Sequence, residues 1–357
     1  MRGKRPLSPP TDRQPTMARI LKQPEPRPKA VQYANSARAA SVTGKKLLVV
    51  DLCCGLGGIS EGARQAGHKV VLAVDCNEEL LRIHERNHPK CTHLKLELGE
   101  ATEQQLVARI RAVVPEGRRW LLHCSPPCQA ISSCRNATGS RDSMHAMRLV
   151  VWYLRLVMRL KPTLWTMEEV ACPQIHGILY MAQTLYPKRV AYLAKVDMSR
   201  YGVPQSRQRC IAGSPCLVHH LSTHPSLLAP APVLSEALAL PPGATLIKNP
   251  TGRCPDFTQT KKHADGTYSN ATATNGYQSV HKLSFTCLAG NPLVWCRADF
   301  TTLRMLTLQE HSRLQTFPEF YRFGGSTVSK EGVGNAVPPL FARKLFLGCG
   351  AAVKKTA

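Results

Sequence analysis

An α/β fold with a doubly wound, mostly parallel sheet and a smaller β-prone insertion is predicted by three observations. Short apolar runs alternate with stretches of helical period from Leu47 to Gly213. The first run ends in a glycine-rich turn and the second in an acid. After Gly213 the alternation gives way to a segment dominated by proline, threonine, asparagine and glycine. Strands joined through helices run parallel and bring their carboxyl ends to one edge, where ligand-binding groups gather. A chain of 357 residues suits one core of about 250 residues with a smaller insertion.

The apolar run Leu47-Leu48-Val49-Val50 ends in Asp51 and the turn Cys53-Cys54-Gly55-Leu56-Gly57-Gly58. Glycines there let a ligand approach the backbone and its N–H groups, although an ordinary tight turn has the same look. Val70 to Val74 ends in Asp75, at the interval where nucleoside binders place an acid on ribose hydroxyls. A helix follows over about Asn77 to Asn87, then Glu97 within Leu96-Glu97-Leu98-Gly99, then a helix over about Thr102 to Val114. The strand Trp120-Leu121-Leu122-His123-Cys124 runs into Ser125-Pro126-Pro127-Cys128-Gln129. A proline-stiffened turn at a strand end is one way to present a cysteine nucleophile; an inert buried thiol is the bland alternative. The polar loop Ala130 to Asp142, with Ser132 and Arg135, suits a lid or a plain surface loop.

Helical period returns over Ser143 to Leu160 and Gln174 to Leu185. Between them Leu164-Trp165-Thr166-Met167 leads into Glu168-Glu169-Val170. Tyr201-Gly202-Val203-Pro204-Gln205-Ser206-Arg207-Gln208-Arg209 precedes Cys210-Ile211-Ala212. On an extended segment the alternate arginines share a face. Gly334-Asn335-Ala336-Val337-Pro338-Pro339 introduces a final apolar helix.

With 47 Lys and Arg against 23 Asp and Glu, the chain carries a formal charge of +24. Eleven of the basic residues and two of the acids fall in Met1 to Lys46, a proline-rich stretch that reads as a disordered tail carrying +9, so the remaining +15 belongs to the body. A basic body favours a phosphate backbone as partner and salt-dependent binding. No apolar run is long enough for a membrane span, nothing looks like a signal peptide, and the 14 cysteines include no metal-binding spacing. An intracellular protein with reduced thiols and no metal is expected: nuclear if eukaryotic, inside the host cell if viral.

Taken in order, these motifs resemble the S-adenosylmethionine-dependent C5-cytosine DNA methyltransferases, from about Leu47 to about Leu347. The resemblance implies a Rossmann-like methyltransferase sheet and transfer of a methyl group to carbon 5 of a flipped-out cytosine in double-stranded DNA, with no membrane involvement, by a monomer. It assigns Cys128 as nucleophile, Glu168 to N3 of the base, and Arg207 and Arg209 to orienting the base. S-adenosyl-L-methionine falls to Asp51, Cys53, Gly55, Leu56, Gly57, Gly58, Asp75, Glu97 and Asn335. Gln129, Ser132, Arg135 and Gln205 are expected at the substrate. The implied domains are a tail over 1–46, a catalytic domain over 47–213, a small target-recognition domain over 214–303 and a return segment over 304–357. Lys248, Arg253, Lys261 and Lys262 are candidate phosphate contacts.

Three departures stand out. Cys53 occupies a position where the family usually has phenylalanine, so adenine packing should be thinner; Cys76 departs similarly from a bulky apolar residue. Glu169 replaces an asparagine that braces the cysteine loop, so that loop is held differently or activity is reduced. A second carboxylate there should also raise the pKa of one of the pair. The alternatives are a tRNA cytosine methyltransferase, whose cysteine-phenylalanine-threonine segment is interrupted here by Cys254-Pro255-Asp256-Phe257-Thr258, and a catalytically weakened DNA-binding scaffold.

Overall fold

The computed structural model describes residues 46–127, 141–238, 240, 244–248, 260–262, 268–270, 277–289, 293–296 and 303–354. The catalytic half opens with β1 (Leu48–Leu52), α1 (Gly58–Gln65), β2 (Lys69–Asp75), α2 (Glu78–Asn87), β3 (Thr92–Lys95), α3 (Glu103–Val113) and β4 (Trp120–Cys124). It continues with α4 (Arg141–Leu160), β5 (Leu164–Val170), α5 (Pro173–Leu185), β6 (Ala191–Asp197), β7 (Gln208–Gly213) and α6 (Pro215–Thr223). Helix starts follow local chemistry. The Asn77 side chain accepts the N–H groups of Glu79 and Leu80 ahead of α2, and Pro173 opens α5, where its missing N–H costs nothing.

One seven-stranded sheet has the order β3-β2-β1-β4-β5-β7-β6. All of its pairs are parallel except those of β7, which runs antiparallel to both β5 and β6. The mostly parallel, doubly wound sheet expected from the sequence is therefore present. Alternation along the strands buries both faces. Val50, Leu72, Leu122, Trp165 and Ala212 pack beneath α3, α4 and α5. Val49, Leu121, Leu164 and Ile211 face α1, α6 and the final helix. Strand order reverses between β1 and β4, so a cleft opens above that pair at the carboxyl edge.

The remaining elements are α7 (Leu234–Leu238), β8 (Thr245–Lys248), β9 (Thr260–Lys262), β10 (Tyr268–Asn270), β11 (Tyr277–Ser279), β12 (Leu293–Cys296), β13 (Leu303–Met305), α8 (Leu308–Leu314), α9 (Ser326–Asn335) and α10 (Pro339–Lys354). A second sheet, β11-β8-β12-β13, and the β9/β10 pair form a small β-rich unit. Leu217 and Leu221 of α6 lie in the main core, so that core runs past Gly213. Leu306 and Leu314 lie in the small unit's apolar cluster with Leu246 and Trp295, so that unit draws on residues beyond 303. Each helix follows the nearest large apolar surface, which a composition change does not mark.

Among the described residues no helix is long and apolar enough to cross a membrane. No group of three or more His, Cys, Asp or Glu residues there could hold a metal.

Candidate active site

The turn after β1 is shaped by backbone conformations that few side chains allow. Cys53, Gly55 and Gly57 take φ of +53°, +51° and +95°. A Cβ at Gly57 would lie 2.8 Å from both His84 and the Tyr321 hydroxyl, and one at Gly58 would lie 2.1 Å from the Val337 carbonyl oxygen. Tyr321 also donates to the Leu56 carbonyl. A Cβ at Gly55, by contrast, would meet nothing within 4 Å. The turn is thus clamped from below and open on one side.

Two acids flank that opening. Asp75 accepts the Gly55 N–H at 2.8 Å through one oxygen and the Asn77 N–H at 2.9 Å through the other. Each oxygen keeps a second lone pair. Asp51 is buried and accepts the Ser60 hydroxyl at 2.7 Å. Burial raises its pKa to about 7, against the lowering effect of the Ser60 hydrogen bond, and the nearby charge of Asp75 adds to the rise. An open glycine turn between acids fits a ligand carrying both ribose hydroxyls and a positive charge. Glu97 is exposed beyond β3, and Asn335 is exposed at the end of α9.

At the ends of β5 and β7, Glu168 and Arg209 meet. Arg209 Nε lies 3.1 Å from Glu168 Oε1, with both side chains about nine-tenths buried. The antiparallel insertion of β7 creates this pair, since Val170 of β5 stands opposite Arg209. Glu169 points to the other face. It accepts its neighbour's N–H, that of Val170, at 2.7 Å. Burial drives its pKa to about 8, with the adjacent Glu168 charge adding to the rise. The sequence expectation that one of the two carboxyls titrates high is met at Glu169.

Arg207 and Gln205 are both buried among protein partners. The buried Arg207 guanidinium donates to the carbonyls of Cys287, Gly334 and Ala336 at 3.3, 3.1 and 3.1 Å. Gln205, also buried, donates to the Leu314 carbonyl and to Gln315 and accepts the Cys287 N–H. These contacts tie the start of β7 to the small unit and the return segment. The shared face expected for Arg207 and Arg209 fails because β7 begins at Gln208, leaving Arg207 outside the extended strand. Cys128, Gln129, Ser132, Arg135 and Arg253 lie outside the described residues. The side chains of Lys248, Lys261 and Lys262 do as well.

Sequence reasoning passed over several residues that build the site. Ser60 and Tyr321 hold the turn. Gln315, fully buried, donates to the Val333 carbonyl at 2.5 Å. His123 bridges Thr166 and Ser125 at the end of β4. A histidine inside an otherwise apolar strand was the one available signal for the last of these.

A family model described as C-5 cytosine-specific DNA methylase matches residues 47–214 and 247–350. The type II methyltransferase M.HgiDI of Herpetosiphon aurantiacus is 30% identical over 301 residues, covering 81% of this chain and 89% of its own. M.HindV of Haemophilus influenzae, also a type II methyltransferase, is 26% identical over 306 residues, covering 82% and 93%. The S. pombe Dnmt2 methyltransferase shares the fold with a TM-score of 0.57 at 14% identity, over 87% of this chain and 99% of that one.

Proposed function

The chain belongs to the C-5 cytosine-specific DNA methylases, and on that footing we propose that it methylates carbon 5 of a cytosine flipped out of duplex DNA through a covalent Cys128 adduct. The observation that carries the reading is the Glu168–Arg209 ion pair. It stands at the carboxyl edge of the sheet, on the strand next to the one that leads into Cys128.

Carbon 5 of cytosine is a poor nucleophile. Attack of the Cys128 thiolate on carbon 6 forms a C–S bond and pushes electron density to carbon 5. Glu168 offsets the charge gathering at N3 by hydrogen bonding or protonation there, and Arg209 fixes Glu168 and orients the base. When bound, S-adenosyl-L-methionine supplies an electrophilic methyl group; the turn from Cys53 to Gly58 with Asp51 and Asp75 would hold it. Once carbon 5 is methylated, loss of its proton to solvent and departure of the Cys128 sulfur restore the aromatic ring. Flipping is required because the reacting atoms are inaccessible inside a duplex. Arg207 and Gln205 act as positioning residues that join β7 to the segment carrying Asn335. The target sequence would be read by the small β-rich unit, in which the basic chain favours phosphate contacts.

Duplex DNA containing 5-fluorocytosine tests the reading, because fluorine blocks loss of the carbon 5 proton and traps the adduct. A cofactor-dependent, mass-shifted band should appear on denaturing gels, vanish in Cys128→Ala and persist in Cys124→Ala. A band formed only with fluorinated RNA would replace DNA as the substrate. If neither nucleic acid gives a band, the protein is a scaffold.

A further inference from the structure

On the face of the main sheet that carries Leu121 of β4, Leu164 of β5 and Ile211 of β7, one position is histidine. The His123 ring is fully buried. Its Nδ1 lies 2.8 Å from Thr166 Oγ1 on β5, and its Nε2 lies 2.9 Å from Ser125 Oγ, just past the end of β4. Burial lowers its pKa to about 3, so at neutral pH the ring has one donor and one acceptor. Two hydroxyls, each able to donate or accept, satisfy both. A leucine would fill such a core position at less cost, since burying an imidazole is unfavourable unless both nitrogens are bonded. On the opposite face the Tyr153 hydroxyl lies 3.0 Å from the Leu122 carbonyl oxygen and 2.9 Å from that of Thr166. The exit of β4 is therefore fastened to β5 from both sides.

Thr166 stands two residues before Glu168 and so shares its face. The asparagine expected to brace the cysteine turn is Glu169 here, and it turns to the other face and bonds its own strand. We infer that His123 is a positioning residue: by tying Ser125 to the strand that carries Glu168, it sets the direction in which the chain leaves β4 toward Cys128. This rests on the reading of Cys128 as the nucleophile.

The test compares His123→Leu, His123→Gln and Ser125→Ala with the wild-type protein. Three quantities are read: the rate of adduct formation on 5-fluorocytosine duplex, the cofactor dissociation constant and the melting temperature. His123→Leu and Ser125→Ala should slow adduct formation roughly 10- to 100-fold, as expected when a reacting group is displaced by a fraction of an ångström to an ångström. Cofactor affinity should not change. The double variant should be no slower than the slower single variant, because both changes break one network. His123→Gln keeps a donor and an acceptor and should recover most of the rate. Should His123→Leu fail to fold, Ser125→Ala carries the comparison, since it removes one hydroxyl at the strand exit. Wild-type rates in folded variants would overturn the assignment, and so would a loss of cofactor affinity in step with the rate. A wild-type protein that forms no adduct overturns the proposed function and this inference with it, whereas an adduct whose rate ignores both substitutions overturns only the inference.

Discussion

Glu168 and Glu169 are neighbours with opposite surroundings. One faces the Arg209 guanidinium; the other is buried on the far side of the strand with a pKa of about 8. In the unfolded chain Glu169 titrates near the ordinary glutamate value of 4.5, so the folded state binds the proton more tightly. Its contribution to stability is complete below the unfolded value and is lost as the pH rises through about 8. Between pH 7 and 9 the wild-type protein should lose about 1 kcal/mol from this group. Glu169→Gln should remove that decline, as measured by urea unfolding at the two pH values. Equal losses in both proteins would show that Glu169 is ionised throughout. Strand alternation made the opposite faces of these two residues legible from sequence. It misled at Arg207, because the alternation rule holds only inside a strand and β7 starts one residue later.

The element pair that fixes the glycine-rich turn after β1 is α1 against α10. Gly62 on α1 has no room for a side chain: a Cβ there would lie 2.4 Å from Ala342 Cβ, 2.6 Å from the Arg343 nitrogen and 2.7 Å from the Pro339 oxygen. Two of those neighbours are backbone, so α10 would have to move as a unit. Gly62→Ala should cost about 1–3 kcal/mol, the usual range for overpacking a close contact, despite the better helix propensity of alanine. Differential scanning calorimetry should show a lower melting temperature, and cofactor affinity should fall too, since the Val337 carbonyl, just ahead of α10, lies against Gly58. A variant that melts at or above the wild-type temperature would contradict this packing. The sequence announced α10 as a closing helix but gave no hint of its partner, which lies about 280 residues earlier in the chain.

Across the whole molecule, buried titratable groups pull stability in opposite directions as the pH changes. Burial lowers the pKa of His88 to about 4 and of His123 to about 3, and it lowers those of His68, His84, His93 and His311. Such groups take up protons on unfolding, so stability falls as the pH drops below the unfolded value of about 6.5. His88 and His123 should each contribute about 2 kcal/mol of loss between pH 7 and 5, a large share of the usual 5–15 kcal/mol. Asp51, raised to about 7, and Glu169, raised to about 8, act in the opposite sense: each loses its contribution as the pH climbs from the unfolded carboxylate value through its folded pKa, so between pH 5 and 7 they offset the histidines. Melting temperature should therefore change modestly between pH 5 and 7 in the wild-type protein, and that of Glu169→Gln, which removes one of the opposing groups, should fall more steeply from pH 7 to 5. A flat profile from pH 5 to 7 in Glu169→Gln would mean that these histidines are solvated in the folded state. Composition showed 13 histidines but not which were buried, because burial is set by neighbours distant in the chain.

By itself the sequence determined the order of strands and helices around the carboxyl edge and the chemical groups placed there, because apolar period and turn chemistry act over a few residues. It missed β3 and β6, whose segments Thr92–Lys95 and Ala191–Asp197 are only partly buried and lack a continuous apolar run. Only the tertiary structure decided which groups meet. The insertion of β7 between β5 and β6 brings Arg209 to Glu168. The return of the chain after the small unit engages Arg207 with carbonyls as far as 129 residues away, and the β4/β5 contact joins His123 to Thr166 across 43 residues. A side chain's role follows from the partner left within hydrogen-bond reach once the cores have packed, and local pattern carries no information about that partner.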